Sequence, residues 1–152
     1  MRILLAVDDS KCSRAATNTL IAQAKTEITE ICVLHVFEAF PGGLARRMGS
    51  RESPDFVAAR LEQREHAKEL LSRAAEKFRS AGFKVTTSIE EGEARNVILD
   101  HAETWRADLI VVGSRGREGL GRLLMGSVSE AVARHAGCSV QIVRPRTVHQ
   151  AG

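Results

Sequence analysis

Apolar positions along the chain follow two alternating rhythms. Ile3 to Val7, Ile31 to Phe37 and Leu109 to Val112 are short, nearly unbroken apolar runs. Runs of this length predict strands buried on both faces. Phe83 to Ile89 alternates instead, with Phe83, Val85, Thr87 and Ile89 on one side. Alternation predicts a strand at a sheet edge or with one open face. Ser139 to Val143 reads as a fifth strand, stopped by Pro145. Between these runs the period becomes helical. Asp8, Asp9 and Ser10 offer caps for a helix from about Lys11 to Lys25. Ser53, Pro54 and Asp55 open the longest helix; Val57, Leu61, Ala67, Leu71, Ala74, Phe78 and Ala81 keep its spacing and Gly82 stops it. After an acidic turn from Glu90 to Glu93, a third helix carries Ala94, Val97, Ile98, His101, Ala102 and Trp105 on one face. Gly126 and Ser127 open a fourth, striped by Val128, Ala131, Val132 and His135.

Strands joined through helices predict an α/β protein with an open, parallel five-stranded sheet and helices on both faces. A chain of 152 residues suits one domain. We place it at 1–146, followed by a flexible tail at 147–152. The stretch 38–53 breaks every period with Pro41, Gly42, Gly43 and Gly49. It follows the second strand, so Arg46, Arg47 and Arg51 either reach an anionic ligand or decorate a solvated loop.

Composition narrows the function classes. Apolar content of 43%, charged content of 27% and a net charge of +3 are ordinary for a soluble globular protein. Five Phe, one Trp and no Tyr provide no base-stacking platform, so no nucleic-acid partner is expected. Cys12, Cys32 and Cys138 form no C-x-x-C, which suggests neither zinc nor a redox dithiol and suits a reducing cytosol. The first apolar run is too short for a signal peptide, and no stretch approaches a membrane span. His35 reads as a hydrogen-bonded core residue, and the other histidines show no metal-ligand spacing.

The chemistry concentrates between Ala107 and Ala136. A buried strand runs into a glycine-punctuated loop carrying Arg115, Arg117 and Arg122, and the loop runs into a helix N-terminus. That order suits phosphate: glycines let the backbone approach, and the first N–H groups of a helix have no internal partner. The dinucleotide fingerprint GxGxxG is absent, and the nearest Walker-like spacing, Gly121 to Gly126 and Ser127, lacks its Lys. What fits is Gly113, two residues, Gly116, nine residues, Gly126, Ser127. A purely structural reading stands beside this one, because Ser127 and Glu130 also form S-x-x-E, a capping box. At the tip of the first strand Asp8 lies on the edge where open α/β sheets take ligands. One carboxylate beside phosphates is enough for Mg²⁺, so Asp8 and Asp9 leave that ion open.

The glycine spacing resembles the G-2x-G-9x-G(S/T) signature of the ATP-binding branch of the universal stress protein family, and the resemblance covers nearly the whole chain. It implies a Rossmann-like strand order of 3-2-1-4-5, in which the winding reverses between strands 1 and 4. It also implies ATP, or AMP or ADP, as ligand. Ala6, Val7 and Asp8 would meet the adenosine, a backbone group of Val36 the adenine edge, and Val112 and Gly113 the ribose. Gly116, Gly126, Ser127 and Val128 would hold the phosphates. The resemblance further implies a nucleotide-responsive regulatory module in stress response, with slow or no ATP hydrolysis, and a homodimer paired through the last strand. Ser139 and Gln141 depart from the family's pattern in that strand. The S-G-G-x-D-S and H-I-G-H signatures of related ATP-cleaving enzymes do not occur.

Overall fold

In the order of the chain, the strands are β1 (Arg2–Ala6), β2 (Glu30–Phe37), β3 (Lys84–Glu91), β4 (Leu109–Gly113) and β5 (Ser139–Val143). The helices are α1 (Lys11–Gln23), α2 (Pro54–Ser80), α3 (Ala94–Trp105) and α4 (Ser127–His135), with a short 3₁₀ turn at Thr26–Ile28. They are seen in a computed structural model that describes residues 1–38, 53–116 and 124–146. The interior of the 38–53 loop with its three arginines, Arg117 and Arg122 of the glycine loop, and the 147–152 tail lie outside the described residues.

The five strands form one parallel sheet in the order β3-β2-β1-β4-β5. Parallel pairing aligns Ile3 with Ile31 and, on the other side, with Leu109. Strand alternation then sorts the core into two layers. Ile3, Leu5, Val7, Ile31, Val33 and Val111 face α1 and α2, where they meet Ala16, Leu20, Leu71 and Phe78. Leu4, Cys32, Leu34, Ile110 and Val112 face α3 and α4, where they meet Ile98, Ala102 and Val132. The unbroken apolar runs are therefore the three central strands, each covered twice, as their pattern requires.

The alternating strand sits at the edge. Val85 and Ile89 pack beneath α2, whereas Thr86, Ser88 and Glu90 line up beside Cys32, Leu34 and Val36 on the other face. β3 runs on to Glu91, past the expected end at Ile89, because Glu90 and Glu91 continue the ladder opposite Val36 and Phe37. The fourth helix also differs from its expected stripe. His135 is exposed, and the buried side is Ser129 and Val132, with Val128 and Ala136 packed beside them. Among the described residues no helix is long and apolar enough to cross a membrane.

His35 behaves as a core residue. It is buried in β2, with Nδ1 2.7 Å from the carbonyl oxygen of Val7. Replacing it by Leu removes the partner of that carbonyl in a buried place. We expect His35→Leu to lower unfolding free energy by about 1–3 kcal/mol, read as a shifted urea midpoint with unchanged slope; an unshifted midpoint would show that water satisfies Val7.

Candidate functional site

Strands β1 and β4 are neighbours, but β1 continues the chain toward one edge and β4 toward the other. Such a reversal opens a crevice at the carboxyl ends of the strands. A cavity of about 290 Å³ lies there, near the low end of the roughly 300–1,000 Å³ usual for small-molecule pockets.

On the β1 side a turn fixes Asp8. Its backbone N–H donates to Ser13 Oγ at 3.0 Å, and its Oδ1 accepts the Ser10 N–H at 2.9 Å. Ser10 caps α1, its hydroxyl accepting the Ser13 N–H at 3.1 Å. The N-terminus of α1 is thus served by the chain's own oxygens. The carboxylate's second oxygen, Oδ2, approaches Gly116 so closely that a Cβ there would lie 2.9 Å from it. Gly116 is therefore a position where the loop passes over Asp8 only for want of a side chain.

On the β4 side the ends of the glycine loop are tied together. Ser114 N–H donates to Val143 C=O at 2.8 Å, and the Ser114 carbonyl accepts from Gly126 N–H at 2.7 Å and from Ser129 Oγ at 2.9 Å. Ser129 Oγ also contacts the Gly126 carbonyl at 3.0 Å. Gly113 packs on α1: a Cβ on it would lie 2.7 Å from Cys12 Cβ and 2.8 Å from the Cys12 carbonyl carbon.

The N-terminus of α4 contrasts with that of α1. Its cap residue is Gly126, in extended conformation, with no side-chain cap hydrogen bond. The expected capping box is corrected here: Ser127 is the first helical residue, not the cap, and Glu130 pairs with Arg134 at 3.0 Å. The helix start comes one residue earlier because the Gly126 carbonyl already accepts the Glu130 N–H at 3.0 Å. A glycine cap leaves the first amides of α4 facing the cavity without a side-chain oxygen of their own.

The remaining wall is apolar. Leu34 and Val36 from β2, Ala94 and Ile98 from α3, and Ala6 and Val112 from the central strands line it. Val7 N–H donates to Leu34 C=O at 2.9 Å. Main-chain direction alternates along a strand, so Val36 turns its N–H and C=O to the same side, beyond the end of β1 at Ala6. The cavity thus joins an apolar slot with a main-chain donor and acceptor at one end to a row of helix amides at the other.

All ten residues expected from the sequence line this one cavity: Ala6, Val7, Asp8, Val36, Val112, Gly113, Gly116, Gly126, Ser127 and Val128. Arg115 joins them. Sequence reasoning missed Ser10, Ser13 and Ser129, which hold the rim, and Leu34, Ala94 and Ile98, which build the slot. Ser10 was legible as a helix cap but not as a wall. Nothing in the spacing of Ala94 and Ile98 tells which neighbour α3 covers.

Among the described residues no three His, Cys, Asp or Glu side chains converge to hold a metal. Burial pushes the Cys32 thiol up from its usual range against an opposing hydrogen bond from Thr86, with the charges of Glu30 and Glu90 raising it further. Such a thiol stays protonated and unreactive.

The model of the universal stress protein family matches residues 1–144. Universal stress protein YxiE of Bacillus subtilis is 33% identical over 145 residues, covering 94% of this chain and 98% of its own. Among solved structures, the hypothetical protein MJ0577 superposes with a TM-score of 0.83 at 25% identity, over 96% of each chain. The universal stress protein of Archaeoglobus fulgidus, solved in complex with dAMP, superposes with a TM-score of 0.63 at 25% identity, over 94% of this chain and 97% of that one. The chain belongs to the universal stress protein family.

Proposed function

We propose that the cavity binds an adenine nucleotide, ATP foremost, and that the protein is a nucleotide-responsive regulatory module of the ATP-binding branch of its family. The observation that carries this reading is the glycine-capped N-terminus of α4, which opens on the cavity beside Asp8. Uncapped helix amides favour an anion, and the helix dipole adds to the attraction. The α1 N-terminus, already served by Ser10 and Asp8, does not compete for it. At the other end, the apolar slot suits a flat purine, and the Val36 main chain offers a donor for adenine N1 and an acceptor for its amino group. Guanine presents the opposite pattern in the same pose, so adenine is favoured. Asp8 and Gly116 lie between, at the level of the ribose and first phosphate. The dAMP held by the A. fulgidus relative supports the same ligand class.

ATP, ADP and AMP share the base and the first phosphate, so each should bind. Asp8 is the carboxylate that would hold Mg²⁺ beside the phosphates. Isothermal titration tests the reading. We expect saturable one-to-one binding of ATP and AMP and at least about tenfold weaker binding of GTP, the cost of one mismatched polar pair. Absence of saturable heat with ATP and AMP at millimolar ligand would end it.

A further inference from the structure

Building on the adenine-nucleotide reading, we infer that Arg144 is a cation of the phosphate subsite, placed to pair with the outer phosphates of a nucleoside di- or triphosphate and so to favour ATP over AMP. The cavity lining serves base, ribose and first phosphate. Among the described residues its only charged members are Asp8 and Arg115, which are of opposite sign. Each further phosphate adds negative charge, and the α4 amides, worth roughly half a positive charge, do not balance it alone.

The end of β5 places Arg144. Gly113 and Val143 stand side by side in the sheet, and the Ser114 N–H donates to the Val143 carbonyl at 2.8 Å. Arg144 therefore leaves the sheet level with Ser114, about one strand spacing of 4.8 Å away. Pro145 comes next, and the residue before a proline is held extended. The alternation of β5 thus carries on one residue past its end. Val143 packs on the α1 and α2 side and Ile142 on the α3 and α4 side. Alternation puts Arg144 on the side of Ile142, where α4 lies. The start of α4 is brought to the same place, because the Ser114 carbonyl accepts the Gly126 N–H at 2.7 Å. Arg144 consequently flanks the α4 N-terminus from the β5 side.

Its chemistry suits that position. Arg2, Arg14, Arg60, Arg95 and Arg134 each pair with a carboxylate. Arg144 is exposed, and among the described residues its guanidinium has no such partner. It does not line the cavity, which leaves it for groups that project out past the first amides of α4. A guanidinium presents paired donors that match two phosphate oxygens at once.

Titration calorimetry of the full chain with ATP and with AMP, at fixed Mg²⁺, tests the assignment. We expect Arg144→Gln to weaken ATP binding by about tenfold, the loss of one charge-assisted contact, and to leave AMP binding unchanged. Arg144→Lys keeps the charge without the fork, so it should recover part of that loss. Arg146→Gln removes the same charge two residues further on and should keep the wild-type ratio of ATP to AMP affinity. A ratio unmoved by Arg144→Gln, or moved as far by Arg146→Gln, overturns the role of Arg144 while AMP binding by the wild type still upholds the nucleotide reading. Absence of AMP binding by the wild type overturns both.

Discussion

Ser127→Pro is expected to weaken the binding of ATP and AMP by about 10–100-fold while leaving adenosine binding nearly unchanged. Proline at this position removes one N–H and one hydroxyl from a residue that lines the cavity, at the end where the proposed nucleotide would place its phosphates. Each hydrogen bond to a charged group contributes about 1.5–3 kcal/mol, which sets the size of the loss. The helix itself should tolerate the change. Ser127 is the first residue of α4, the place where proline is favoured because its missing N–H has no helical partner. The residue before a proline must be extended, and Gly126 already is, with φ −65° and ψ 152°. The first bond of the helix, from Glu130 N–H to Gly126 C=O, does not involve the Ser127 amide. Ser127→Ala, which keeps the amide, should lose less. Equal affinities for AMP in the wild type and Ser127→Pro, measured by titration calorimetry, would remove the α4 amides from the account.

Gly113→Ala should lower unfolding free energy by about 1–3 kcal/mol, and Gly113→Val by more. Propensity alone gives the opposite sign, since alanine in a strand interior is better than glycine by roughly 0.5–1 kcal/mol. Packing wins because the added carbon would overlap Cys12, including backbone carbon and oxygen at 2.8 and 3.0 Å. Backbone cannot swing aside as a side chain does, so β4 and the start of α1 must separate. That start carries Ser10 and Ser13, which position Asp8. Ligand affinity should therefore fall together with stability, unlike the outcome for Ser127→Pro. Urea unfolding curves for the two variants check this; a Gly113→Ala midpoint at or above the wild type would show that the two elements separate at little cost.

Much of this architecture is written in local pattern. The central strands announce themselves because β1, β2 and β4 are covered on both faces, and β3 announces its edge by alternating. The starts of α1 and α2 fall at their sequence signals, since Ser10 and Ser53 each accept a first-turn amide and Pro54 follows Ser53. The strand order came from family resemblance, as local pattern cannot rank neighbours. The site was legible where backbone does the work. Gly113, Gly116 and Gly126 are spaced by what must pass close to Cys12, Asp8 and Ser114, and close approach selects glycine. It was illegible where distant side chains meet. Ala94 and Ile98 are ordinary stripe residues until α3 is laid over β2, and Ser129 gains its role only when the Ser114 carbonyl arrives from across the loop. The misplaced cap has the same origin: S-x-x-E is a local rule, whereas the tie between Gly126 and Ser114 is not. With Gly126 as the cap, Ser127 becomes the first helical residue and lines the cavity.

A ¹⁵N-resolved NMR titration of the full chain with AMP reads occupancy of the crevice residue by residue. Nucleotide binding in the crevice should give saturable shifts confined to amides at the strand tips and the α4 start, with Val36, Asp8, Gly113, Gly116, Gly126, Ser127 and Val128 among the largest, all fitting one dissociation constant. Shifts scattered over α2 or β5 with these amides unmoved, or no shift at millimolar AMP, would contradict it.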